Sequence, residues 1–380
     1  MMCASGSRTP RHVESAISQL RGSSKDDKVA VSAEIAWTLC RSKNRNRSSI
    51  GQVLGGLAER AICQAVSVPE TKRRITTVQF GGRLGNLFFE YAAALTLQRA
   101  RGGEVRFLDW RTPSRADFLA YLDPDGSAGL HRKFRGVRYF ERSRLAGNVS
   151  WQVMRVIRGI ARRARGAAGV QAIFTPENTY SPAPENLAVL DHRRLLVFGY
   201  FQHQSWYEPT LGDVTSRIWS TLEPHVSHLV NHNATVISVR RGDYRRLGWE
   251  LTAPYYERTI EALGHVDGPI WITSDDPAGA LRLLAPILDK HGLCASPLPE
   301  VDMTASMRDF ALLCVARNVI MSNSTFCWWG TVTGQLQGGQ EPKRIVCPTP
   351  WLPTTDKSVA LIRADWIAVE ASFPPKPAPQ

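Results

Sequence analysis

Residues 235 to 244 read Thr235-Val236-Ile237-Ser238-Val239-Arg240-Arg241-Gly242-Asp243-Tyr244. A short apolar run rich in β-branched residues gives way to two arginines and a glycine. Such a run reads as a buried strand. The arginines then fall at its carboxyl end, where open α/β sheets bind ligands. A second stretch has the same order. Asn318 to Met321 reads as a strand and is followed by Asn323-Ser324-Thr325-Phe326-Cys327-Trp328-Trp329-Gly330. One stretch offers adjacent guanidinium groups. The other offers hydroxyls and backbone amides at an expected helix start. Both suit an anion, and a pyrophosphate is the natural candidate.

Working outward, β and α patterns alternate. Ile75 to Phe80 predicts a strand, Gly81-Gly82-Arg83-Leu84-Gly85-Asn86 a turn, Leu87 to Ala100 a helix and Glu104 to Leu108 a second strand. Leu195 to Phe201 predicts another strand. Downstream, helix Pro254 to Leu263, strand Ile270 to Thr273, helix Ala278 to His291, helix Met307 to Ala316, a helix from Thr325 and strand Arg344 to Val346 follow. This alternation predicts an α/β fold with parallel sheets. Residues 72–225 and 226–368 are expected to form two Rossmann-like lobes facing across a cleft. Residues 1–71 read as a partly disordered extension rich in Ser, Gly, Arg and Lys, and 369–380 as a tail. The stretch from Arg111 to about Pro184 reads as irregular and basic.

Composition narrows the class. Hydrophobic residues make up 43% and charged residues 21%, the balance of a soluble globular protein. No run is long and apolar enough to predict a transmembrane helix, and no basic-then-apolar leader is evident. Seven scattered cysteines without a C-x-x-C pair argue against a disulfide framework or zinc site and point to a reducing cytoplasm. The net charge of +13 is uneven: eleven Lys/Arg residues stand between Arg132 and Arg165 against one acid, Glu141. Val149, Val153, Val156, Ile157, Ile160 and Ala164 share one helical face there, and Arg155, Arg158, Arg162 and Arg165 another. This basic helix is either a solvated lobe helix or a peripheral contact with an anionic membrane surface. No base-reading motif accompanies it, so nucleic acid is not the expected partner.

Each motif also has an ordinary structural explanation. Gly82 to Asn86 after a strand invites a dinucleotide interpretation, with Asp109 on a ribose. The pattern is G-G-x-x-G rather than G-x-G-x-x-G, so a tight strand-to-helix turn serves equally. Adjacent arginines point apart, so one can clamp a phosphate while the other holds a carboxylate such as Asp243. Asn323-Ser324-Thr325 could be only a helix cap. Trp328 and Trp329 suit a core. Asp276, after Asp275, is a candidate cap. Asp123-Pro124-Asp125-Gly126 reads as a turn rather than a metal site. His225 and His228 have no third ligand, so no metal site is expected.

Together these motifs resemble the α-1,2-fucosyltransferases of glycosyltransferase family 11. The resemblance rests on Gly82-Arg83-Leu84-Gly85-Asn86 with Glu90-Tyr91-Ala92, on Gly199-Tyr200-Phe201-Gln202, on Ser238 to Tyr244, on Ser274-Asp275-Asp276, on Asp309 opening a helix, and on Asn323 to Gly330. It covers about residues 75–352. It implies a GT-B-like fold and inverting, metal-independent transfer of L-fucose from GDP-β-L-fucose, with no cofactor, to the 2-OH of a galactoside on a glycan or lipid-linked saccharide. By that resemblance Arg240, Arg241 and Asp243 serve catalysis. Ser238, Asp275, Asp309, Asn323, Ser324 and Thr325 bind the donor, with Asp309 reading the guanine edge. Gly82, Gly85, Asn86, Glu90, Tyr91 and Gln202 lie on the sugar and acceptor side. Glu90, Asp109, Asp243 and Glu250 are candidates for a general base. Ser238 stands where the family has histidine, Leu87 where it has glutamine and Cys327 where it has serine. The family's bacterial members imply a cytoplasmic enzyme at the inner face of the membrane. Two other classes stay open: an NAD(P)-dependent oxidoreductase using Gly81 to Asn86, and a non-catalytic glycan-binding protein on a transferase fold.

Overall fold

The computed structural model describes residues 74–109, 115–136, 172–176, 179–185, 187, 193–229, 233–338, 343–353 and 361–375. The expected extension and most of the basic segment lie outside the described residues.

The first sheet has five parallel strands in the order β3-β2-β1-β5-β4: β1 (Ile75–Phe80), β2 (Glu104–Asp109), β3 (Phe134–Gly136), β4 (Ala172–Phe174) and β5 (Arg194–Val197). The second is also parallel, in the order β10-β9-β8-β6-β7: β6 (Thr235–Val239), β7 (Ile270–Ser274), β8 (Asn318–Ile320), β9 (Arg344–Thr349) and β10 (Ile367–Glu370). Eight helices bear on the argument: α1 (Leu84–Arg101), α2 (Arg115–Leu122), α3 (Leu211–Val226), α4 (Gly242–Leu247), α5 (Ala253–Leu263), α6 (Pro277–Lys290), α7 (Ala305–Val315) and α8 (Thr325–Gln337). The two parallel, Rossmann-like sheets are joined through a core in which α1 and α8 pack together.

In each sheet the strand order reverses direction at one place. In the first sheet this lies between β1 and β5, in the second between β6 and β8. Such switch points open a crevice at the carboxyl ends of the strands. Four of the motif-bearing turns leave β1, β5, β6 and β8 and so flank a switch point, while Ser274-Asp275-Asp276 follows the edge strand β7 beside β6.

The second sheet is buried on both faces. Ile237 and Val239 pack with Tyr255, Tyr256 and Leu284 of α5 and α6, while Val236 and Val319 join the opposite core. That core continues into the first lobe through α8. Trp328 and Trp329 are fully buried, and Phe89 of α1 lies 4.9 Å from Trp328 and 5.1 Å from Trp329 by ring centroids. Phe88 adds a contact to Trp329 at 5.6 Å. The tryptophans are therefore core, as their apolar setting suggested. Two glycines let α8 approach α7 closely: a Cβ on Gly334 would lie 2.0 Å from the Cys314 carbonyl oxygen, and one on Gly330 2.9 Å from Leu313 Cβ.

Three expectations need correction. The strand predicted from Leu195 to Phe201 ends at Val197, because Gly199 (φ 156°) and Phe201 (φ 51°) turn the chain. The stretch predicted to be irregular holds α2, whose Phe118 and Tyr121 are buried, together with β3 and β4. The helix carrying Asp309 begins at Ala305, capped by Thr304, so Asp309 sits one turn inside it rather than opening it.

The lobes meet most closely at Gly85. A Cβ there would stand 2.4 Å from the Phe326 nitrogen and the Thr325 carbonyl carbon. Backbone cannot yield as a side chain tip can, so Gly85→Ala is expected to destabilise by about 1–3 kcal/mol, the usual cost of overpacking. Gly212→Ala, with open space around it in α3, is expected to be neutral or mildly stabilising. Denaturant midpoints of the two variants check the contrast.

Candidate functional site

The site forms where α1 and α8 begin. Both are N-terminal helix ends, and neither bears a side-chain cap: Arg83 and Ser324 occupy the cap positions in extended conformation without capping bonds. By contrast Asp276 caps α6 and Thr304 caps α7. The first amides of a helix lack the usual intrahelical partner, and the helix dipole adds partial positive charge there; in α1 the Asn86 amide is already taken by the Arg83 carbonyl at 2.8 Å. Two such ends converge at Gly85 and Thr325. Ser324 therefore takes the cap position without acting as a cap, and the Thr325 hydroxyl instead donates to Asn86 Oδ1 across the lobes at 3.1 Å.

Opposite these ends lies a lattice of alternating charge. Arg240 follows β6. Its guanidinium bonds Asp243 Oδ1 at 2.5 Å and Asp275 Oδ2 at 2.6 Å, and lies 5.1 Å from the centre of the Tyr244 ring. Arg241 turns the other way. Its backbone nitrogen donates to Asp275 Oδ1 at 2.9 Å, and its side chain meets Asp276 at 3.2 Å and Glu250 at 3.6 Å. The arginines do point apart, and Arg240, the expected phosphate clamp, is the one that holds Asp243. Gly242 is required beside them, since a Cβ there would meet Asp275 Oδ2 at 2.3 Å.

Arg83 belongs to the same lattice. It projects from the glycine turn of the first lobe to Asp243 at 3.5 Å and Asp275 at 3.9 Å. Its side chain is 59% exposed, so these are long, solvated contacts of small energy. Sequence reasoning left Arg83 out of the site, although it stands inside the quoted Gly82 to Asn86 motif. A cation in a turn at a strand's carboxyl end was the available signal.

Several residues expected in the site face elsewhere. Glu90 is buried, and its carboxylate accepts from the Gly81 nitrogen at 3.0 Å. It braces the glycine turn from behind. Tyr91 is buried against Phe107 and Phe118, and burial raises its hydroxyl pKa. The Ser238 hydroxyl points into the core, 3.1 Å from Ser322 Oγ, because alternation along β6 sends Arg240 and Ser238 away from the Ile237 face but leaves Ser238 a residue pair deeper. Asn323 is buried, and its amide donates to the Trp249 carbonyl at 2.8 Å, which shapes the loop below the arginines. Gly82 and Asn86 do lie at the cleft, and Gln202 reaches Asn86 there at 3.0 Å. Asp109 closes β2, with its side chain outside the described residues.

Asp276 is the cap of α6. Its carboxyl pKa is lowered by the Gly279 backbone amide and by Arg241. Asp123 accepts from the Ala128 and Leu130 nitrogens, and Asp125 from Ser127. The Asp123 to Gly126 segment is thus a turn. His225 and His228 are exposed. Tyr244, next to Arg240, has its hydroxyl pushed up to about 12 by burial.

Within the Gly81 to Asn86 turn, the close approach allowed at Gly85 is made by Thr325 and Phe326 of the other lobe, while Gly82 stays exposed. The oxidoreductase alternative rests on this turn alone, without the G-x-G-x-x-G spacing.

Comparisons with known proteins follow from this geometry. No family model matches the chain. It is 26% identical over 312 residues to the O-antigen biosynthesis glycosyltransferase WbnK of Escherichia coli, covering 75% of this chain and 97% of that protein. That likeness supports glycosyl transfer as the class of activity. Among solved structures, the fucosyltransferase NodZ from Bradyrhizobium is similar at TM-score 0.37 and 14% identity, over 75% of this chain and 98% of that one. A family 9 glycosyl transferase from Veillonella parvula is similar at TM-score 0.40 and 12% identity, over 80% and 89%. Among the described residues no helix is long and apolar enough to cross a membrane.

Asp309 carries a pH prediction. Burial raises its carboxyl pKa, partly offset by Arg308 at 2.9 Å. A carboxyl raised on folding favours the folded state when protonated and opposes it when ionised. Asp309→Asn is therefore expected to melt higher than the parent at neutral pH. The gain should shrink as pH falls from the raised folded-state pKa towards the ordinary carboxyl value and be gone below it. Thermal melts from neutral to acid pH test the sign.

Proposed function

We propose that the chain transfers L-fucose from GDP-β-L-fucose to the 2-OH of a terminal galactoside, with inversion and without a metal. The acceptor is a glycan or a lipid-linked saccharide. The observation that carries this is the placement of Arg240. Asp243 and Asp275 fix its guanidinium at the carboxyl end of β6; the same carboxylates meet Arg83 at the uncapped start of α1, and neighbouring Tyr244 bonds the Asn323 carbonyl just before the uncapped start of α8. A diphosphate bound between them would meet fixed cations and helix amides on both sides. GDP is an anionic leaving group, and charge grows on it as the glycosidic bond breaks. Preorganised donors matter most at that moment. The transition state should resemble an oxocarbenium ion, so leaving-group stabilisation and positioning would supply much of the rate.

The residues divide naturally on this reading. Arg240 would hold the β-phosphate. Arg241, anchored on Asp276 and Glu250, would keep the loop rigid. Ser324 and Thr325 would add donors from the start of α8. Asp309 would accept from the guanine edge. Asn86 would meet the sugar from the first lobe. Glu90 is withdrawn as general base by its burial behind the glycine turn, which leaves Asp109, and Asp243 and Glu250 beside the arginines, as candidates. Localisation at the inner membrane face, with the basic segment 132–165 as peripheral contact, completes the proposal.

The expected behaviour is acceptor-dependent release of GDP from GDP-fucose with lactose, unchanged by EDTA. Arg240→Ala should lower kcat by about 10²–10³-fold, the usual effect of removing one donor from a charge-stabilising site. Release abolished by EDTA, or an Arg240→Ala variant of full activity, would sink the proposal. Retained GDP binding without release would redirect the acceptor assignment alone.

A further inference from the structure

The side-chain amide of Asn86 is held from both lobes. Its Oδ1 accepts from Gln202 Nε2 at 3.0 Å and from Thr325 Oγ1 at 3.1 Å. Its Nδ2 lies over Gly82, where a Cβ would stand only 2.6 Å away. Gly82 has φ 93° and is exposed at the mouth of the turn. A primary amide can present a carbonyl or an NH2 to a ligand. Here the carbonyl is occupied twice, so the NH2 end, beside the exposed Gly82, is the one left for a ligand.

The segment that delivers Gln202 is strained. Phe201 adopts φ 51°, in the left-handed region that bulky residues avoid. Its ring is buried, 5.1 Å from Trp206. Gly199, at φ 156°, takes a positive-φ conformation that L side chains rarely adopt. Strain of this kind persists where the surroundings over-determine it and often marks a functional position. Its consequence is to turn Gln202, itself buried, back toward Asn86 at the switch point between β1 and β5.

We propose that Gln202 is a positioning residue. With Thr325 it fixes the Asn86 amide so that a pure hydrogen-bond donor, never an acceptor, faces the bound sugar nucleotide. The inference rests on the donor reading above. Its chemical sense is that the ring oxygen, the glycosidic oxygen and the diphosphate are all acceptors. A reversed amide would present a carbonyl oxygen to them. The Thr325 hydroxyl can rotate to donate or accept and so follows either orientation, whereas the buried Gln202 amide directs its NH2 at the Asn86 oxygen. The contact also couples closure of the two lobes to the state of this one amide, since Thr325 opens α8.

The test uses the full chain. Asn86→Asp keeps an oxygen for both Gln202 and Thr325 but removes the NH2. It is expected to melt close to the parent yet bind GDP-fucose at least about tenfold more weakly by calorimetry, with GDP less affected. Gln202→Glu places an acceptor beside Asn86 and should reverse its amide. Turnover should fall near neutral pH and partly recover in acid, where the buried carboxyl takes up a proton and donates again. The parent should show no such recovery. Gln202→Met, which removes the donor without adding an acceptor, should lose less and show no acid recovery. A pH profile of Gln202→Glu parallel to the parent's overturns the inference, as does Asn86→Asp with unchanged GDP-fucose affinity. Should Gln202→Glu fail to fold, Asn86→Asp and Gln202→Met decide the matter by the same readouts. A parent chain that binds neither GDP nor GDP-fucose overturns the functional reading and this inference with it. A parent that binds both, beside variants that match it, overturns the inference alone.

Discussion

The structure depends on the contact between the first turns of α1 and α8. Gly85 leaves no room for a methyl group against the backbone of Thr325 and Phe326. Behind it, Trp328 and Trp329 pack on Phe88 and Phe89. Fully burying such aromatic side chains is worth several kcal/mol each relative to truncation. That burial holds two helix starts together, and with them the ends of β1 and β8. The position of the site follows from the packing behind it.

Charge compensation is the second constraint. Arg83, Arg240, Arg241 and Arg245 alternate with Asp243, Asp275, Asp276 and Glu250. Packed alone, the cations would repel and reorganise. Interleaved with carboxylates they hold a fixed geometry, and a fixed donor loses least when charge develops on a ligand. Because the lattice is close to neutral, an incoming diphosphate meets guanidinium groups already partly engaged. Affinity should therefore owe as much to the helix starts as to net positive charge, unlike a simple basic patch.

Much of this fold was legible in the sequence because the parallel strands are short, β-branched and bounded by sharp polar signals. β6 and α8 begin where the pattern predicts. β5 was overextended because Leu195 to Phe201 remains apolar past Val197, and only backbone torsion at Gly199 and Phe201 ends it. α2 escaped notice because its short apolar face is flanked by Arg115 and Asp117. In the site, motif order located the arginines and the start of α8. It could not say which motif residues turn inward: Glu90, Tyr91, Ser238 and Asn323 are all buried. Arg83 joins the lattice through tertiary contacts with Asp243 and Asp275, for which its place in a turn at a strand's carboxyl end was the one local signal.

The most direct test of the central claim is a crystal structure of the chain with GDP grown in EDTA. The account predicts the diphosphate between the Arg240 guanidinium and the first turns of α1 and α8, within hydrogen-bond distance of both, with no divalent ion. A diphosphate bound elsewhere, or one that binds there only when a divalent ion is supplied, would contradict it.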